Sequence, residues 1–495
     1  MKRIAIIGGG VSGLSAAYAL EQQKRKGAEL NYVLYEAGER FGGVICTERV
    51  DDFVVEAGPD SFLTEKPWAT DLCRELGLGD QLIGSNDAER RTYILVNGRL
   101  VPLPDGLMFM VPTDFPATFL SPLFSWRTKL QFLREWFYRP TPDLPESTAA
   151  EFVERHYGRE MVERVADPLL SGVYGGSADE LSATSVLARF AEIEAKQGSL
   201  GRAMVAARKL QSLSTEQSSA GQPRAAVPAR SATTRSLFTS LKNGMQGIID
   251  ALAAQIPGSA QRLETQVDAV NPEFSKWLVG SSGRTEEFDG VIVATPAYAA
   301  ADLMRNQIPQ LSAELEQIRY TSSVTVALAY GAKTRASLPL GFGFLVPRKE
   351  GKRILACTFV HNKFSARTPE GRALIRCFLG GSRDEGILQA SDAEITSIVR
   401  RELQETLGVA DDPDFVRIFR WPHAMAQYTV GHKSRIQNIR KIISSAPGLA
   451  LAGNAYGGIG IPDCVRSGSE AATKVLADLA INTRWSVEPQ HNHME

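Results

Sequence analysis

The fold is decided by the first stretch of the chain, Ile4-Ala5-Ile6-Ile7-Gly8-Gly9-Gly10-Val11-Ser12-Gly13. Four apolar residues lead directly into a glycine turn, which predicts a short buried strand over 4–7 and a helix over 11–26. Residues 31–36, Asn-Tyr-Val-Leu-Tyr-Glu, predict a second strand. Strand, helix and strand within about 33 residues form a βαβ unit, so the sequence predicts a parallel sheet. A basic start before an apolar run is also typical of a secretion signal, but the glycines interrupt the run and favour the strand.

The three spaced glycines of this turn predict a nucleotide site. Gly8 allows the tight turn, Gly10 lets the backbone approach a pyrophosphate, and Gly13 lets the helix pack closely on the sheet. Val11 and Ser12 open the helix, whose free N–H groups and positive dipole end favour phosphate. A glycine turn in a βαβ unit without any ligand is the competing interpretation.

Glu36 strengthens the nucleotide interpretation because it closes the second strand. An acid at that position accepts hydrogen bonds from a ribose hydroxyl, and it disfavours a 2′-phosphate. Strand, helix, second strand and acid therefore occur in the order that a dinucleotide fold needs.

Length and composition exclude several classes of protein. The 495 residues are about three times a typical domain of roughly 150, so more than one domain is expected. The hydrophobic fraction of 43% and the charged fraction of 22% exclude a mostly disordered, collagen-like or coiled-coil chain. The net charge of -1 argues against nucleic acid as the main partner.

The five cysteines are widely spread and form no CxxC pair. Neither a disulfide framework nor a metal site is predicted, and a reducing, cytoplasmic compartment fits best. No uncharged apolar run of about 18 residues occurs, so no transmembrane helix is expected. The cysteines are Cys46, Cys73, Cys357, Cys377 and Cys464.

The middle of the chain predicts a second sheet. Strand-like runs at 323–330, 354–360 and 374–379 indicate a mainly antiparallel arrangement. Residues 291–294 and 449–452 are short buried strands, and the second of these leads through glycines to a closing helix from Ser467 to Leu479.

Two segments predict little fixed structure. Residues 211–234 are nearly all Ser, Thr, Ala, Gly, Pro or Gln, which predicts a flexible surface insertion. The tail from Thr483 is polar and is expected to fray.

Residues 107–138 hold nine of the 39 aromatic residues of the chain. Pro112, Pro116 and Pro122 break the segment, so it cannot be one spanning helix. Two interpretations stay open: a helical core or pocket wall, and a surface that dips into one membrane leaflet.

Further motifs resemble the flavin amine oxidase superfamily. They are Glu36-Ala37-x-x-Arg40-x-Gly42-Gly43, Glu56-Ala57-Gly58-Pro59, the strand Val291–Pro296, and the glycine loop Gly453–Cys464 at the end of the chain. The resemblance implies FAD, bound non-covalently, with a helix that begins near Asp463 beside the flavin and the backbone of Val267 beside adenine. Beyond the glycine turn and Glu36, the implied FAD contacts are Ala37, Arg40, Gly42, Gly43, Gly58, Pro59, Asp60, Val267, Ala294, Thr295, Gly453, Asn454, Gly460, Ile461, Pro462 and Asp463.

Five segments resemble one branch of that superfamily, the bacterial protoporphyrinogen/coproporphyrinogen oxidases. The branch implies oxidation of a porphyrinogen to a porphyrin in haem biosynthesis, with six electrons removed through FAD and O2 converted to H2O2. Such chemistry has little need of an acid or base, and none is identified here. The segments are Glu56–Phe62, Pro168–Tyr174, Phe378–Arg383, Met425–His432 and Gly460–Val465.

The same resemblance implies five substrate contacts. Arg91 is the nearest match to an arginine that pairs with a propionate, although its spacing to Gly98 differs and a solvated arginine is the alternative. Leu345 and Phe378 match side chains that sandwich the macrocycle, for which ordinary strand core is the alternative. The other two contacts are Gly172, which faces the ring, and Thr358, where the family has an aliphatic residue.

The predicted fold class is α/β. A Rossmann-like FAD-binding domain of the p-hydroxybenzoate hydroxylase type interleaves with an α+β substrate-binding domain and a helical subdomain. The predicted FAD domain is 1–88, 236–302 and 425–482, and the predicted substrate domain is 89–106 and 303–424. The helical subdomain is 107–205, with a membrane-facing surface as one of its two interpretations. The insertion is 211–235 and the tail is 483–495.

Three other functions stay open: a flavin amine oxidase, a carotenoid-type desaturase, and a non-catalytic FAD- or porphyrin-binding chaperone. The sequence does not separate protoporphyrinogen IX from coproporphyrinogen III as substrate. Besides the porphyrinogen and O2, the partners under consideration are a membrane surface, the next enzyme of the haem pathway and a second copy of the chain.

Overall fold

The computed structural model describes residues 1–142, 144–207 and 236–481. The predicted insertion at 211–234 and the predicted frayed tail from Thr483 lie outside the described residues.

A parallel sheet forms around the first strand, as the opening motif predicts. Ile4 is in register with Tyr32 on one side and Gly290 on the other, and all neighbouring strands run parallel. The helix Val11–Arg25 connects the first two strands. In sheet order the strands are Gln261–Arg262, Leu30–Tyr35, Lys2–Ile7, Gly290–Val293 and Leu449–Leu451.

Both faces of this sheet are covered, which explains its continuous apolar strands. Ile4 and Ile6 pack into one core with the helices Val11–Arg25, Gln246–Gln255 and Ile461–Asp478. Ala5 and Ile7 pack into the opposite core. That second layer consists of the antiparallel strands Val267–Glu273, Lys276–Ser281 and Arg284–Phe288 and the helices Ala297–Met304, Pro309–Glu316 and His432–Ser444.

The closing helix begins at Ile461, six positions before the start at Ser467 that the pattern predicts and two before the start near Asp463 that the resemblance implies. Pro462 lies in its first turn, where the missing N–H would have no partner within the helix. A Cβ on Gly468 would lie 2.1 Å from the carbonyl oxygen of Ser12, so only glycine lets this helix cross the first one so closely. The two ends of the chain therefore meet at this crossing.

A second, larger sheet confirms the antiparallel prediction. Its neighbouring strands run antiparallel except for Gly343–Leu345 and Thr92–Val96, which are parallel. In sheet order the strands are Phe415–Ala426, Tyr320–Tyr330, Ala373–Gly380, Ile354–Phe359, Gly343–Leu345, Thr92–Val96 and Arg99–Pro102.

The large sheet has two unlike faces. The covered face packs apolar side chains such as Val326 and Ile375 against the helix Asp392–Leu407. We call the opposite side the site face. Part of it is covered by Phe53 and Val55 of the hairpin Thr47–Glu56.

A helical layer lies beside the site face. Residues 107–138, the segment rich in aromatic residues, contribute two helices to this layer. These helices are short and separate, as the prolines of the segment predict. In the described residues no helix is long and apolar enough to cross a membrane. The helices of this layer are Phe115–Leu120, Trp126–Glu135, Ala149–Tyr157, Arg159–Met161, Asp167–Tyr174, Ala183–Val186 and Ala188–Gln197, with a π turn at Val162–Ala166; residues 200–207, up to the end of the described range, are also helical.

The remaining elements are short. The helices are Pro67–Glu75, Ala332–Ser337 and Val360–Lys363, and the strands are Thr47–Val50 with Phe53–Glu56, Leu107–Met108 with Val111–Pro112, and Phe62–Leu63 with Phe238–Leu241 and Leu82–Gly84.

Candidate active site

The glycine turn has the geometry that a phosphate site needs. Gly8 has a φ of +105°, and a Cβ there would lie 2.7 Å from the carbonyl oxygen of Ala294. A Cβ on Gly13 would lie 1.8 Å from the carbonyl oxygen of Gly8. In contrast, no described atom lies within 4 Å of a Cβ built on Gly10. Two glycines therefore allow close packing, and the third leaves open space beside the helix start.

Glu36 lies beside this turn and braces it. Its two carboxylate oxygens accept the N–H groups of Gly9 at 2.7 Å and Gly38 at 2.8 Å. The side chain is only half-buried, and a carboxylate has lone pairs beyond those two bonds. The acid can therefore still accept a hydrogen bond from a ribose hydroxyl.

Arg40 holds the second glycine loop in shape. Its guanidinium donates to the carbonyl oxygens of Phe41 at 3.1 Å, Ile45 at 3.0 Å and Gly43 at 2.6 Å. These backbone contacts occupy much of the arginine, so we assign it the positioning of the loop that it encloses.

Gly42 and Gly43 connect that loop to the first turn. The Gly42 N–H donates to the carbonyl oxygen of Gly9 at 2.8 Å, and a Cβ on Gly43 would lie 3.8 Å from the Cα of Gly10. The two glycine segments therefore form one cradle around the open space at Gly10.

Thr295 provides an unpaired buried polar group in the same cradle. Its hydroxyl is buried and has no hydrogen-bond partner among the described residues. Its backbone lies next to Gly8 on one side and Gly453 on the other. A buried hydroxyl without a partner is unfavourable by about 1–3 kcal/mol, so this position fits a polar ligand group.

The start of the closing helix offers free backbone donors. Gly460 is its N-cap, and within the described chain no side chain caps it. Asp463 in the first turn is held by Lys66 at 2.6 Å. The uncapped N–H groups and the positive end of the helix dipole suit the flavin or the pyrophosphate. Ile461 and Pro462 thus lie where the resemblance implies a cofactor contact.

Asn454 mainly fixes the loop before this helix. Its amide donates to the carbonyl oxygen of Ala424 at 3.1 Å, and its own carbonyl oxygen accepts the hydroxyl of Tyr428 at 2.7 Å. The Tyr428 hydroxyl also accepts the Gly458 N–H at 2.9 Å. Burial raises the pKa of Tyr428 well above its ordinary value, so this hydroxyl keeps its proton.

Val267 lies close to the chain segment that follows Glu36. The N–H of Thr265 donates to the carbonyl oxygen of Glu36 at 2.9 Å, and Val267 begins the next strand two residues later. The backbone of Val267 is thus near the position where the resemblance implies adenine.

The loop at residues 56–61 links the cradle to the site face. A Cβ on Gly58 would lie 1.9 Å from the carbonyl oxygen of Val44, the residue after the Gly42-Gly43 pair. From the large sheet, Arg376 donates to the carbonyl oxygen of Gly58 at 2.5 Å and Trp421 donates to that of Ala57 at 2.9 Å. A ligand that extends from Gly10 toward the large sheet would pass this loop, where Gly58 and Pro59 are predicted contacts.

Two carboxylates of this loop form ion pairs with a group of cationic side chains that no sequence motif predicts. Lys363 contacts the carboxylate of Asp60 at 3.1 Å, Arg376 contacts it at 3.4 Å, and Arg367 pairs with Glu56 at 2.8 Å. We call these five residues the buried ionic cluster. Asp60, a predicted cofactor contact, is thus largely engaged by protein cations.

Burial and charge act in opposite directions on the pKa of Asp60. Burial alone would raise the pKa, but Lys363 and then Arg376 outweigh it and hold the carboxyl well below its usual range. Burial also lowers the pKa of the Lys363 ammonium, and Asp60 opposes that effect. The ion pair therefore depends on both partners.

Three predicted substrate contacts form one half-open wall on the site face. Leu345, Thr358 and Phe378 lie on three neighbouring strands, and each is the one residue of its strand that is not buried. The register aligns Leu345 with Ala356 and Ala356 with Phe378. A row of half-exposed side chains in otherwise buried strands is the expected wall of a cavity.

Gly172 completes the wall from the helical layer. It is exposed, and a Cβ there would lie 3.6 Å from Cδ2 of Leu345. The helix Asp167–Tyr174 is fixed to the large sheet by a buried pair, Arg383 with Asp167 at 2.8 Å. The motif around Arg383 was recognised in the sequence, but its partner Asp167 was not.

Arg91 does not join this wall. A Cβ on Gly341 would lie 3.1 Å from both Cβ of Arg91 and the ring of Tyr93, and Tyr93 packs into the covered face. Ile94, the residue paired with Leu345, lies in the helical core next to the wall. By strand alternation Thr92, not Arg91, shares the side of the wall. The difference in the spacing from Arg91 to Gly98 fits this shift.

In the described ranges, no three or more His, Cys, Asp or Glu side chains are grouped to hold a metal ion.

Comparison with known proteins places the chain in a family. The family model for flavin containing amine oxidoreductases matches residues 11–476. A coproporphyrinogen III oxidase of Bacillus subtilis is 33% identical over 97% of this chain and 98% of its own length. The chloroplastic protoporphyrinogen oxidase 1 of Arabidopsis thaliana is 30% identical over 95% and 87%.

A solved structure agrees with these relatives. It is a protein of Exiguobacterium sp. 255-15 with a provisional protoporphyrinogen oxidase name, and it superposes with a TM-score of 0.81 at 31% identity over 97% of this chain and 99% of that one. The cradle, its open space and the unpaired Thr295 hydroxyl fit FAD. The chain therefore belongs to the flavin containing amine oxidoreductase family, in the branch of the coproporphyrinogen III and protoporphyrinogen oxidases, and it uses FAD.

Proposed function

We propose that this enzyme oxidises a porphyrinogen to the porphyrin in haem biosynthesis, with O2 as the final electron acceptor and H2O2 as a product. The observation that carries the proposal is the half-open wall of Leu345, Thr358 and Phe378 opposite Gly172, adjoining the 56–61 loop. The names of the relatives favour coproporphyrinogen III as the first substrate to test and protoporphyrinogen IX as the second.

The protein residues have a limited task in such a reaction. Bound FAD supplies a two-electron acceptor, so six electrons require three turnovers of the cofactor. The wall orients the macrocycle and excludes water, which is the contribution that positioning makes to the rate. Gly172 leaves the space that a larger residue would fill.

Charge near the wall favours an acidic substrate over an amine. The buried ionic cluster has three cations and two carboxylates, and its Arg376 lies 5.1 Å from the centre of the Phe378 ring. Excess positive charge repels a substrate ammonium and attracts propionates. This supports a porphyrinogen over the amine oxidase alternative, and it gives no advantage to the hydrocarbon of a carotenoid-type desaturase.

Steady-state assays test the proposal. With the FAD-loaded enzyme in air, we expect porphyrin fluorescence to rise with coproporphyrinogen III or protoporphyrinogen IX, with three H2O2 formed for each porphyrin. We expect no H2O2 with putrescine or cyclohexylamine. Turnover of the amines alone would overturn the proposal, and fluorescence without H2O2 would overturn the oxygen-using part.

We also propose a peripheral membrane contact. Leu120, Trp126, Leu130, Leu133 and Phe137 are exposed. The last four repeat at helical spacing along the helix Trp126–Glu135, with Phe137 two residues beyond its end. Exposed arginines flank this row, which is the pattern of a helix that lies on an anionic lipid surface. They are Arg127, Arg134 and Arg139.

Co-sedimentation with phosphatidylglycerol vesicles tests this contact. We expect the enzyme to bind these vesicles, and the double variant Trp126→Asp/Phe137→Asp to lose most of the binding. Phe274→Asp is the matched control, because Phe274 is fully exposed on a hairpin of another sheet. Equal binding of all three proteins, or none by the wild type, would contradict the proposal. A cytoplasmic location, a homodimer and contact with the next haem-pathway enzyme stay predictions from the sequence.

A further inference from the structure

The buried ionic cluster carries one more positive charge than negative charge. Among the residues that the structure describes, Lys363, Arg367 and Arg376 form ion pairs with Glu56 and Asp60 alone, and all five side chains are at most 13% exposed. Arginine keeps its charge in proteins, and the Lys363 ammonium is held beside the Asp60 carboxylate. The cluster therefore has a net charge of +1.

An uncompensated buried charge is unfavourable unless a counter-charge lies near it. Arg376 is the member closest to the proposed ligand space. It donates to the carbonyl oxygen of Gly58, stacks against Phe378, and its buried Nε has no partner among the described residues. The excess charge thus lies between the 56–61 loop and the substrate wall.

Reduction of FAD supplies a charge of the required sign. Two electrons and one proton convert the neutral oxidised ring into an anionic reduced ring, so the ring gains one negative charge. Buried positive charge stabilises that anion because Coulomb energy is larger in a low dielectric.

We propose that the buried ionic cluster raises the midpoint potential of the bound FAD by stabilising the negative charge that the ring acquires on two-electron reduction. This inference requires FAD but neither a porphyrinogen nor O2, so it stands apart from the proposed function. It gives Lys363, Arg367 and Arg376 an electrostatic effect on the cofactor, besides their effect on the 56–61 loop.

A purely structural role is the competing explanation, and the sign of the charge separates the two. If the cluster only fixes the 56–61 loop, each variant disturbs the same contacts, and the midpoint potential of the flavin should shift in the same direction in every variant. If the cluster acts through its charge, the midpoint potential should fall when positive charge is removed and rise when positive charge is added.

Two variants change the charge in opposite senses. Lys363→Met removes the excess charge and leaves Asp60 paired with Arg376. Glu56→Gln adds one positive charge, keeps an oxygen for the Met245 N–H and can donate its amide to Thr47. Asp60 stays unchanged in both variants, because its carboxylate keeps Lys363 protonated in Glu56→Gln and stays paired with Arg376 in Lys363→Met.

The readouts are the midpoint potential, from anaerobic titration of the FAD-loaded proteins with dithionite and a reference dye, and the dissociation constant for sulfite. Sulfite adds to the oxidised flavin and leaves it negatively charged, so it reports the same stabilisation. We expect roughly tenfold weaker sulfite binding and a potential lowered by about 30 mV in Lys363→Met, and changes of similar size in the opposite direction in Glu56→Gln.

Asp289→Asn is the matched control. It removes the same charge as Glu56→Gln from a carboxylate that Lys2 and Lys276 hold at the amino-terminal edge of the parallel sheet, away from the cradle. Its potential should equal that of the wild type. Shifts of the same sign in both cluster variants, or shifts no larger than that of Asp289→Asn, would overturn the inference. If Glu56→Gln does not retain FAD, Lys363→Arg takes its place: it alters the contacts of Lys363 but keeps the charge, so its potential should stay at the wild-type value, and a shift as large as that of Lys363→Met would overturn the inference.

Discussion

The two faces of the large sheet use the same strands for different purposes. In the strand Ala373–Gly380, Ile375, Cys377 and Leu379 point to the covered face and are fully buried. Between them, Arg376 and Phe378 point to the site face. One carries a buried charge, and the other is the half-open residue of its strand.

This difference shows where stability and function divide. The covered face is built mainly from apolar side chains, and its energy comes from burial and close packing. The site face keeps charges out of water and leaves side chains partly uncovered, both of which weaken a fold that has no ligand. Such a face is expected where a ligand completes the structure.

The largest effect is expected from breaking the cluster. Arg367→Met leaves the Glu56 carboxylate buried without its cation, which should lower the free energy of unfolding by about 3–5 kcal/mol. Denaturant unfolding of the FAD-loaded protein measures it. Arg372→Met is the control, since Arg372 pairs with Asp414 at the surface and should change stability by at most about 1 kcal/mol. Equal losses in the two variants would show that burial of the pair is unimportant.

The covered face should affect stability without affecting turnover. Ile375→Ala creates a cavity against the helix Asp392–Leu407, and we expect a loss of about 2–5 kcal/mol in the free energy of unfolding. Its kcat/KM for porphyrinogen at a temperature where it is folded should match the wild type. A large fall in kcat/KM would contradict the division between the faces.

The site face should show the reverse. Phe378→Ala removes part of the wall, and we expect kcat/KM for porphyrinogen to fall on the order of tenfold to a hundredfold as the macrocycle loses its orientation. Because Phe378 is only half-buried, the loss of stability should be smaller than for Ile375→Ala. Unchanged kinetics would remove Phe378 from the substrate site.

Lowering the pH should weaken the site face through Asp60 and leave the packing of the covered face unchanged. The pKa of Asp60 lies below its unfolded value, so its contribution to stability is present above pH 4 or so and is lost as the pH falls through the folded value. The free energy of unfolding should therefore fall less steeply between about pH 5 and pH 3 in Asp60→Asn than in the wild type. Ile375→Ala should run parallel to the wild type, and parallel curves for all three proteins would contradict the assignment.

The smallest effect is expected from Gly172→Ala. The added methyl group meets Leu345 at an ordinary distance, and alanine is the better helix former, so stability should hold or rise by about 0.5–1 kcal/mol. The methyl group nevertheless enters the space beside the wall, and KM for porphyrinogen should rise a few-fold. An unchanged KM would mean that the macrocycle does not contact this helix.

Much of the nucleotide end follows from sequence because its signals are local. Strand, glycine turn and helix lie within residues 4–26, and the structure has the predicted elements there. Leu345, Thr358 and Phe378 come from the resemblance, and the strand register brings them together.

Other features need the tertiary structure. Asp60 and Lys363 are 303 positions apart, so no local pattern predicts their contact. The apolar pattern alone places the start of the closing helix six residues late, because glycines and a proline favour a loop when the capping geometry is unknown. A one-residue shift of a strand moves each side chain to the other side of the sheet. The sequence alone does not fix the register, so it could not decide on which side Arg91 lies.

The most direct test of the account is anaerobic mixing of the FAD-loaded enzyme with coproporphyrinogen III and, separately, with protoporphyrinogen IX. We expect at least one of them to bleach the flavin absorbance, more slowly in Phe378→Ala and at the wild-type rate in Ile375→Ala. A flavin that stays oxidised with both porphyrinogens would contradict the account and favour a protein that binds its ligands without turning them over.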